Sequence, residues 1–228
     1  MRKEPNIKKV ILNKISESLS STYLINFLMN QSTVLVFGGT VREAYFFNEN
    51  ISPRDFDLVL VDYKGNLYND LLSLGYNTTK NKFGGIKIKV NNNSFDVWKI
   101  EETWAFKNNY VKFDSVEDLY KTVYLNIDGI FYDLNNELLY SEMFEEAIKT
   151  GEIDIVLSEN PQEMLNIMRA YKLRDEYRLS FSQKLNTVIS LKEKRMGKAV
   201  FENEIYDLFR KRYKSKFNEH QRKNLILM

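Results

Sequence analysis

The sequence has no cysteine among its 228 residues and one histidine, His220. The first absence excludes disulfides, thiolate-held zinc, iron–sulfur clusters and cysteine nucleophiles. The second excludes metal sites built from several histidines and leaves any histidine catalysis to one residue near the C-terminus. A bound metal would therefore rest on carboxylate oxygens, the donor set suited to Mg²⁺ or Mn²⁺. Glycine and proline are scarce, at 9 and 3 residues, so each one reads as punctuation. No run approaches the roughly 20 apolar residues of a membrane span. The opening segment, MRKEPNIKKVILNKI, carries charge but no continuous apolar stretch. The expectation is a cytoplasmic protein without a membrane segment.

What is present is ordinary in bulk. Hydrophobic residues make up 43% and charged residues 28%, with 14 Tyr and 15 Phe, enough to build a sizeable core. The net charge of +2 conceals an uneven distribution: residues 190–228 hold eleven Lys or Arg against five Asp or Glu. A basic end of this kind either contacts nucleic acid or forms the solvated face of helices. Tyr206, Phe209, Tyr213 and Phe217 recur there at helical spacing, which suits a packed stripe or a stacking surface.

Punctuation and periodicity give an element order. Residues 7–30 read as helix. Thr33–Phe37 is a short buried strand closed by Gly38-Gly39, and a helix starts at Thr40. Asp55–Val61 is a second strand and Leu67–Leu74 a helix. Ile86–Val90 alternates with period two and pairs through Asn91–Asn93 with Phe95–Trp98. Ile127–Tyr132 and Glu137–Tyr140 read as a second hairpin, and after Pro161 the pattern is helical. The expected architecture is a mixed α/β head over residues 1–150 followed by a helical segment with a basic end over residues 151–228.

Asp55-Phe56-Asp57 places two carboxylates on one side of a strand. Such an arrangement is common at solvated strand ends, yet like charges this close are relieved by a divalent cation. Asp96, on a later strand, would complete a three-carboxylate site if the two strands were neighbours. A site of that kind can hold two metal ions, one activating a hydroxyl and one stabilising a leaving pyrophosphate. Gly38-Gly39, with Thr40 as a possible cap, joins a strand to a helix start, where backbone N–H groups favour phosphate. Gly39 and Asp55 are sixteen residues apart on successive strands, a layout suited to a nucleoside triphosphate.

Gly38-Gly39-Thr40-Val41-Arg42-Glu43 followed by Arg54-Asp55-Phe56-Asp57 resembles the head of class II CCA-adding enzymes and bacterial poly(A) polymerases, whose pattern is Gly-Gly-x-Val-Arg-Asp and then Asp-x-Asp. The resemblance implies an α+β, polymerase-beta-like nucleotidyltransferase head with a small mixed sheet, followed by a helical neck. It covers roughly residues 30–180 and is strongest at 36–60. It implies a metal-dependent transfer of NMP from an NTP to a hydroxyl, at an RNA 3′ end such as that of tRNA. Asp55, Asp57 and Asp96 would be the catalytic and metal-binding residues, with Mg²⁺ or Mn²⁺. Gly38, Gly39, Thr40 and Arg42 would bind the nucleotide.

Two further stretches extend the resemblance. Tyr120-Lys121-Thr122-Val123-Tyr124-Leu125-Asn126 falls where the family has Arg-Arg-Asp-Phe-Thr-Ile-Asn, a ribose-contacting motif. Lys121 and Asn126 would carry that role here, while Thr122 replaces the acid. Gln162-Glu163 through Arg169-Ala170 resembles the family's base-reading helix Glu-Asp-x-x-Arg-x-x-Arg-Ala. Glu163 and Asn166 would take the selecting positions and Arg169 the following arginine. The substituted Asn166 implies a base preference that differs from CCA addition. The basic C-terminus is the expected RNA contact. Two alternatives remain: the same chemistry on a small-molecule or protein acceptor, or a non-catalytic RNA-binding relative.

Overall fold

The structure, a computed structural model, describes residues 6–47 and 51–213. Residues 214–228, the last part of the basic C-terminal segment, with Lys214, Lys216, Phe217 and His220, lie outside the described residues. The chain forms two compact units. The first runs to Thr122 and adds Asp128–Glu142; the second comprises Val123–Ile127 and the chain from Met143 onward.

In the first unit, the expected helix over 7–30 is two helices, α1 (Ile7–Ile15) and α2 (Leu19–Gln31). The break has a local cause. Ser18 is extended, at φ −136° and ψ 124°, and its side chain accepts from the Ser21 N–H, so it caps α2 rather than continuing α1. The chain continues through β1 (Thr33–Phe37), α3 (Gly39–Phe47), β2 (Phe56–Val61), α4 (Leu67–Ser73), β3 (Thr78–Lys80), β4 (Ile86–Val90), β5 (Asn93–Lys99), α5 (Trp104–Lys107), β6 (Phe131–Asp133) and β7 (Leu138–Tyr140). The second predicted hairpin is shorter than its apolar pattern suggests, because residues 126–128 form a 3-10 turn before β6 begins.

The strands form one seven-stranded sheet in the order β3-β4-β5-β2-β1-β6-β7. Only β2 and β5 pair in parallel; the other neighbours are antiparallel. A parallel pair requires a crossover, which here is the stretch through α4, β3 and β4.

Strand alternation gives the sheet two unlike faces. Val34, Val36, Phe56, Leu58, Leu60, Ile88, Phe95 and Val97 are all buried on one of them. On the other, Leu35, Val59 and Phe131 pack with Ile100, Phe106 and Leu119 into a second cluster. That cluster covers only part of its face. Beyond it, the same face carries charge.

The second unit contains α6 (Glu142–Thr150), entered from the end of the first, then β8 (Glu152–Ile153), α7 (Glu163–Tyr177), β9 (Ser180–Phe181), α8 (Gln183–Met196) and α9 (Lys198–Arg212). Its apolar interior is helical: Ile167, Met168 and Leu173 of α7, Leu185 and Ile189 of α8, and Phe201, Ile205 and Phe209 of α9 are buried. Phe209 and Tyr213 pack ring on ring at 4.9 Å, so this part of the aromatic stripe serves packing. Residues 123–127 belong to this unit because they run antiparallel to 154–157: the Asn126 N–H donates to the Asp154 carbonyl at 3.0 Å and the Val156 N–H to the Tyr124 carbonyl at 2.9 Å. Among the described residues, no helix is long and apolar enough to cross a membrane.

Candidate active site

Register places the key carboxylates. Asp57 stands opposite Asp96 in the parallel β2–β5 ladder, and Asp96 stands opposite Lys87 in the antiparallel β4–β5 ladder. On the other side, Asp57 faces Phe37 of β1, Phe37 faces Phe131 of β6, and Phe131 faces Tyr140 of β7. Directly opposed residues share a face. A single transverse row therefore crosses the sheet, aromatic at one end and charged at the other. Its aromatic half is stacked, with ring centroids 5.8 Å apart for Phe37–Phe131 and 4.5 Å for Phe131–Tyr140.

Asp55 immediately precedes β2 and is paired with Arg54. Asp96 is held on both oxygens: Oδ2 lies 3.0 Å from Lys87 Nζ, and Oδ1 accepts from Asn81 Nδ2 at 3.1 Å. The side chains of Asp55 and Asp96 are mostly withdrawn from solvent, at 17% and 16% exposure. The donor set fits a hard divalent cation, since it offers carboxylate oxygens alone and two of the three carboxylates are directly opposed. The three are not drawn around a single point; among the described residues no group of three or more acidic or histidine side chains is gathered for a metal. Arg54 and Lys87 supply the positive charge beside them in this structure.

The turn from β1 into α3 lies at the same end of the sheet. Gly38 sits in left-handed backbone, φ +66°, and its N–H donates to the Ile130 carbonyl at 2.8 Å. Gly39 opens α3. The Thr40 hydroxyl donates to the Asp55 carbonyl at 3.1 Å, tying the helix start to the strand entry. Arg42 is buried and its guanidinium lies 2.6 Å from Asp128, also buried. Taking one partner from such a pair leaves an uncompensated charge inside the protein. Arg42 therefore fixes α3 against the turn before β6. Glu43 accepts from the Ser52 N–H at 3.1 Å.

Of the remaining residues named from the sequence, Lys121 belongs to the first unit and Asn126, Glu163, Asn166 and Arg169 to the second. Lys121, in the first unit, is 2.7 Å from Asp118, whose second oxygen accepts from the Asp114 and Ser115 N–H groups at 2.8 and 2.9 Å. The Lys121 ammonium and then those two N–H groups hold the Asp118 carboxyl down to about 2, and the same pairing raises Lys121. In the second unit, Asn126 accepts from the Ile127 and Asp154 N–H groups and donates to the Glu152 carbonyl. Asn166 is buried on α7 and donates to the Asn160 side chain at 3.2 Å and the Pro161 carbonyl at 3.3 Å. Glu163, at the first turn of α7, pairs with Lys192, and Arg169 lies half-buried on the same helix. Burial and then the Glu163 charge push the Tyr124 hydroxyl up to about 12.

Solved structures share this architecture. The chain aligns with a CCA-adding enzyme in complex with ATP at a TM-score of 0.58 and 16% identity, covering 95% of this chain and 51% of that one. For a CCA-adding enzyme in complex with CTP the values are 0.57, 17%, 95% and 51%. For a tRNA nucleotidyltransferase complexed with a primer tRNA and an incoming ATP analog they are 0.52, 18%, 86% and 64%. The fold is thus the mixed α/β, nucleotidyltransferase-like fold of these enzymes, and the chain spans between about half and two thirds of their length. No family model and no curated protein matches the sequence.

Sequence reading missed four residues of this site. Arg54 stood in the motif without a role of its own, Lys87 was one residue of an alternating strand, and Asp128 lay inside the strand expected over Ile127–Tyr132. Asn81 carried a usable signal: an Asn followed by Gly84-Gly85 is the composition of a side-chain-closed turn. Lys87 becomes legible once β4 and β5 are set in register across Asn91–Asn93.

Proposed function

We propose that this protein is a metal-dependent nucleotidyltransferase that moves NMP from an NTP to the terminal hydroxyl of an RNA, with a tRNA-like 3′ end as acceptor. The observation that carries the reading is the opposition of Asp57 and Asp96 on parallel strands, beside a Gly38-Gly39 turn into α3, in a fold shared with CCA-adding enzymes. The attacking hydroxyl oxygen forms a bond to the α-phosphorus as the bond to pyrophosphate breaks.

Asp55, Asp57 and Asp96 are the residues that would hold Mg²⁺ or Mn²⁺. Bound there, the ions would supply a Lewis acid for the attacking hydroxyl and for the departing pyrophosphate. Asp96 would serve the attacking hydroxyl, either by holding the ion that activates it or as the base that takes its proton. Gly39 and Thr40 bring the backbone N–H groups of the helix start against the triphosphate; Gly38, whose own N–H is held by the Ile130 carbonyl, shapes the turn, and Arg42 keeps α3 rigid behind them. Lys121 is assigned to the sugar, and Glu163, Asn166 and Arg169 to the base. Asn126, whose amide is engaged by three backbone groups, contributes by shaping the segment around it.

The test is incorporation of each α-labelled NTP into RNA with Mg²⁺, beside the Asp55→Ala/Asp57→Ala variant. Labelled RNA is expected from the unaltered protein, with at least a hundredfold loss in the variant, about the effect of removing several kcal/mol of transition-state stabilisation. Binding of NTP and metal without labelled RNA would sink the RNA reading and leave another acceptor.

A further inference from the structure

Asn81 makes more contacts than a surface turn requires. Its backbone N–H donates to the Gly85 carbonyl at 2.7 Å, and its carbonyl accepts from the Gly84 N–H at 3.1 Å. Its side-chain oxygen accepts twice, from the Phe83 N–H at 2.8 Å and the Gly85 N–H at 3.1 Å. A carbonyl oxygen has two acceptor sites, so this one is saturated and the amide cannot rotate without losing both bonds. The locked amide points its nitrogen at Asp96 Oδ1, 3.1 Å away. The loop leaves room for this donor. A side chain at Gly85 would place its Cβ 2.8 Å from Asn81 Nδ2, and Gly84 lies at φ +96°. Lys87 takes the other oxygen of Asp96 from the neighbouring strand. Two of the carboxylate's roughly four acceptor sites are thereby used, and the rest stay available beside Asp57.

We infer that Asn81 is a positioning residue: the 81–85 loop, cleared by Gly85, aims its amide to fix the orientation of Asp96 for a divalent cation. The inference rests on the reading of Asp96 as a metal-holding residue. Hydrogen bonds to ligating carboxylates orient them, and their loss costs roughly tenfold to a hundredfold in metal affinity. The loop and the third carboxylate are then one device, although fifteen residues separate them in the chain.

The experiment titrates Mn²⁺ into the full chain and follows the electron paramagnetic resonance signal of free Mn²⁺. The variants are Asp96→Asn, Asn81→Ala, Gly85→Ala, the Asn81→Ala/Gly85→Ala double variant and, as control, Lys80→Met, whose ammonium lies over the Tyr68 ring. Melting temperatures are recorded in parallel. Asp96→Asn, Asn81→Ala and Gly85→Ala are expected each to weaken Mn²⁺ binding by about tenfold or more. The double variant is expected to match Asn81→Ala alone, because both changes act through one amide. Lys80→Met should bind as the unaltered chain does. A lowered melting temperature with unchanged Mn²⁺ affinity in Asn81→Ala, while Asp96→Asn is impaired, overturns the inference and leaves the metal site standing. Unimpaired binding by Asp96→Asn overturns both. If Asn81→Ala does not fold, Gly85→Ala decides: normal Mn²⁺ affinity there refutes the positioning role.

Discussion

Gly38 and Gly39 are neighbours with separate reasons to lack a side chain. At Gly38 nothing lies within 4 Å of where a Cβ would sit, so the requirement is the left-handed backbone at φ +66°. Gly38→Ala should cost about 1 kcal/mol of stability, the usual penalty for an L-residue in that region, measured by urea unfolding. At Gly39 a Cβ would meet Arg42 Nη2 at an ordinary 3.7 Å. Gly39→Ala should therefore unfold much like the unaltered chain, while its KM for NTP rises if phosphate approaches the backbone there. At this scale the sequence was informative where chemistry is local. Asp55-Phe56-Asp57 and the glycine pair stand out by spacing alone. The partners of Asp96 do not, because Asn81 and Lys87 meet it only through strand register.

Elements with a long period were legible, and elements defined by a partner were not. β1 and β4 have the limits their apolar patterns predict, and α4 ends one residue short of the expected Leu74. β3 is three residues of Thr-Thr-Lys, and β8 and β9 are two residues each. Stretches so short carry no period and exist because an edge was available for pairing. The same holds for residues 123–127, whose antiparallel partner lies some thirty residues later. Asn126 closes that pairing by accepting from Asp154 N–H at 2.9 Å and donating to the Glu152 carbonyl at 3.0 Å. Asn126→Ala should lose about 1–2 kcal/mol, and amide exchange at Asp154 should quicken before exchange in α7 changes.

Acid sensitivity sums over the whole molecule. Asp118 is held down by Lys121, Glu142 by the Tyr120 hydroxyl and Glu159 by the Ser158 hydroxyl, so three carboxylates titrate below their ordinary range. Each is a lowered acid, so the stability it gives is full above its unfolded pKa and fades as pH falls through the folded one. For Asp118 that window runs from 3.8 down to about 2. Urea midpoints should fall steadily as acid is added across it, and Asp118→Asn should flatten the decline. The overall architecture was partly legible: a mixed head and a helical remainder follow from periodicity, whereas the seven-strand order depends on which edges pair. That order makes the reactive side hostage to the inert one. Phe56 and Phe95 stack at 5.1 Å on the covered face, fully buried. Sliding either strand by one residue would drive Asp57 or Asp96 inward and expose a ring. The two rings thus act as a proofreading device for the charged row, and anyone transplanting these carboxylates into another sheet would have to carry the rings along.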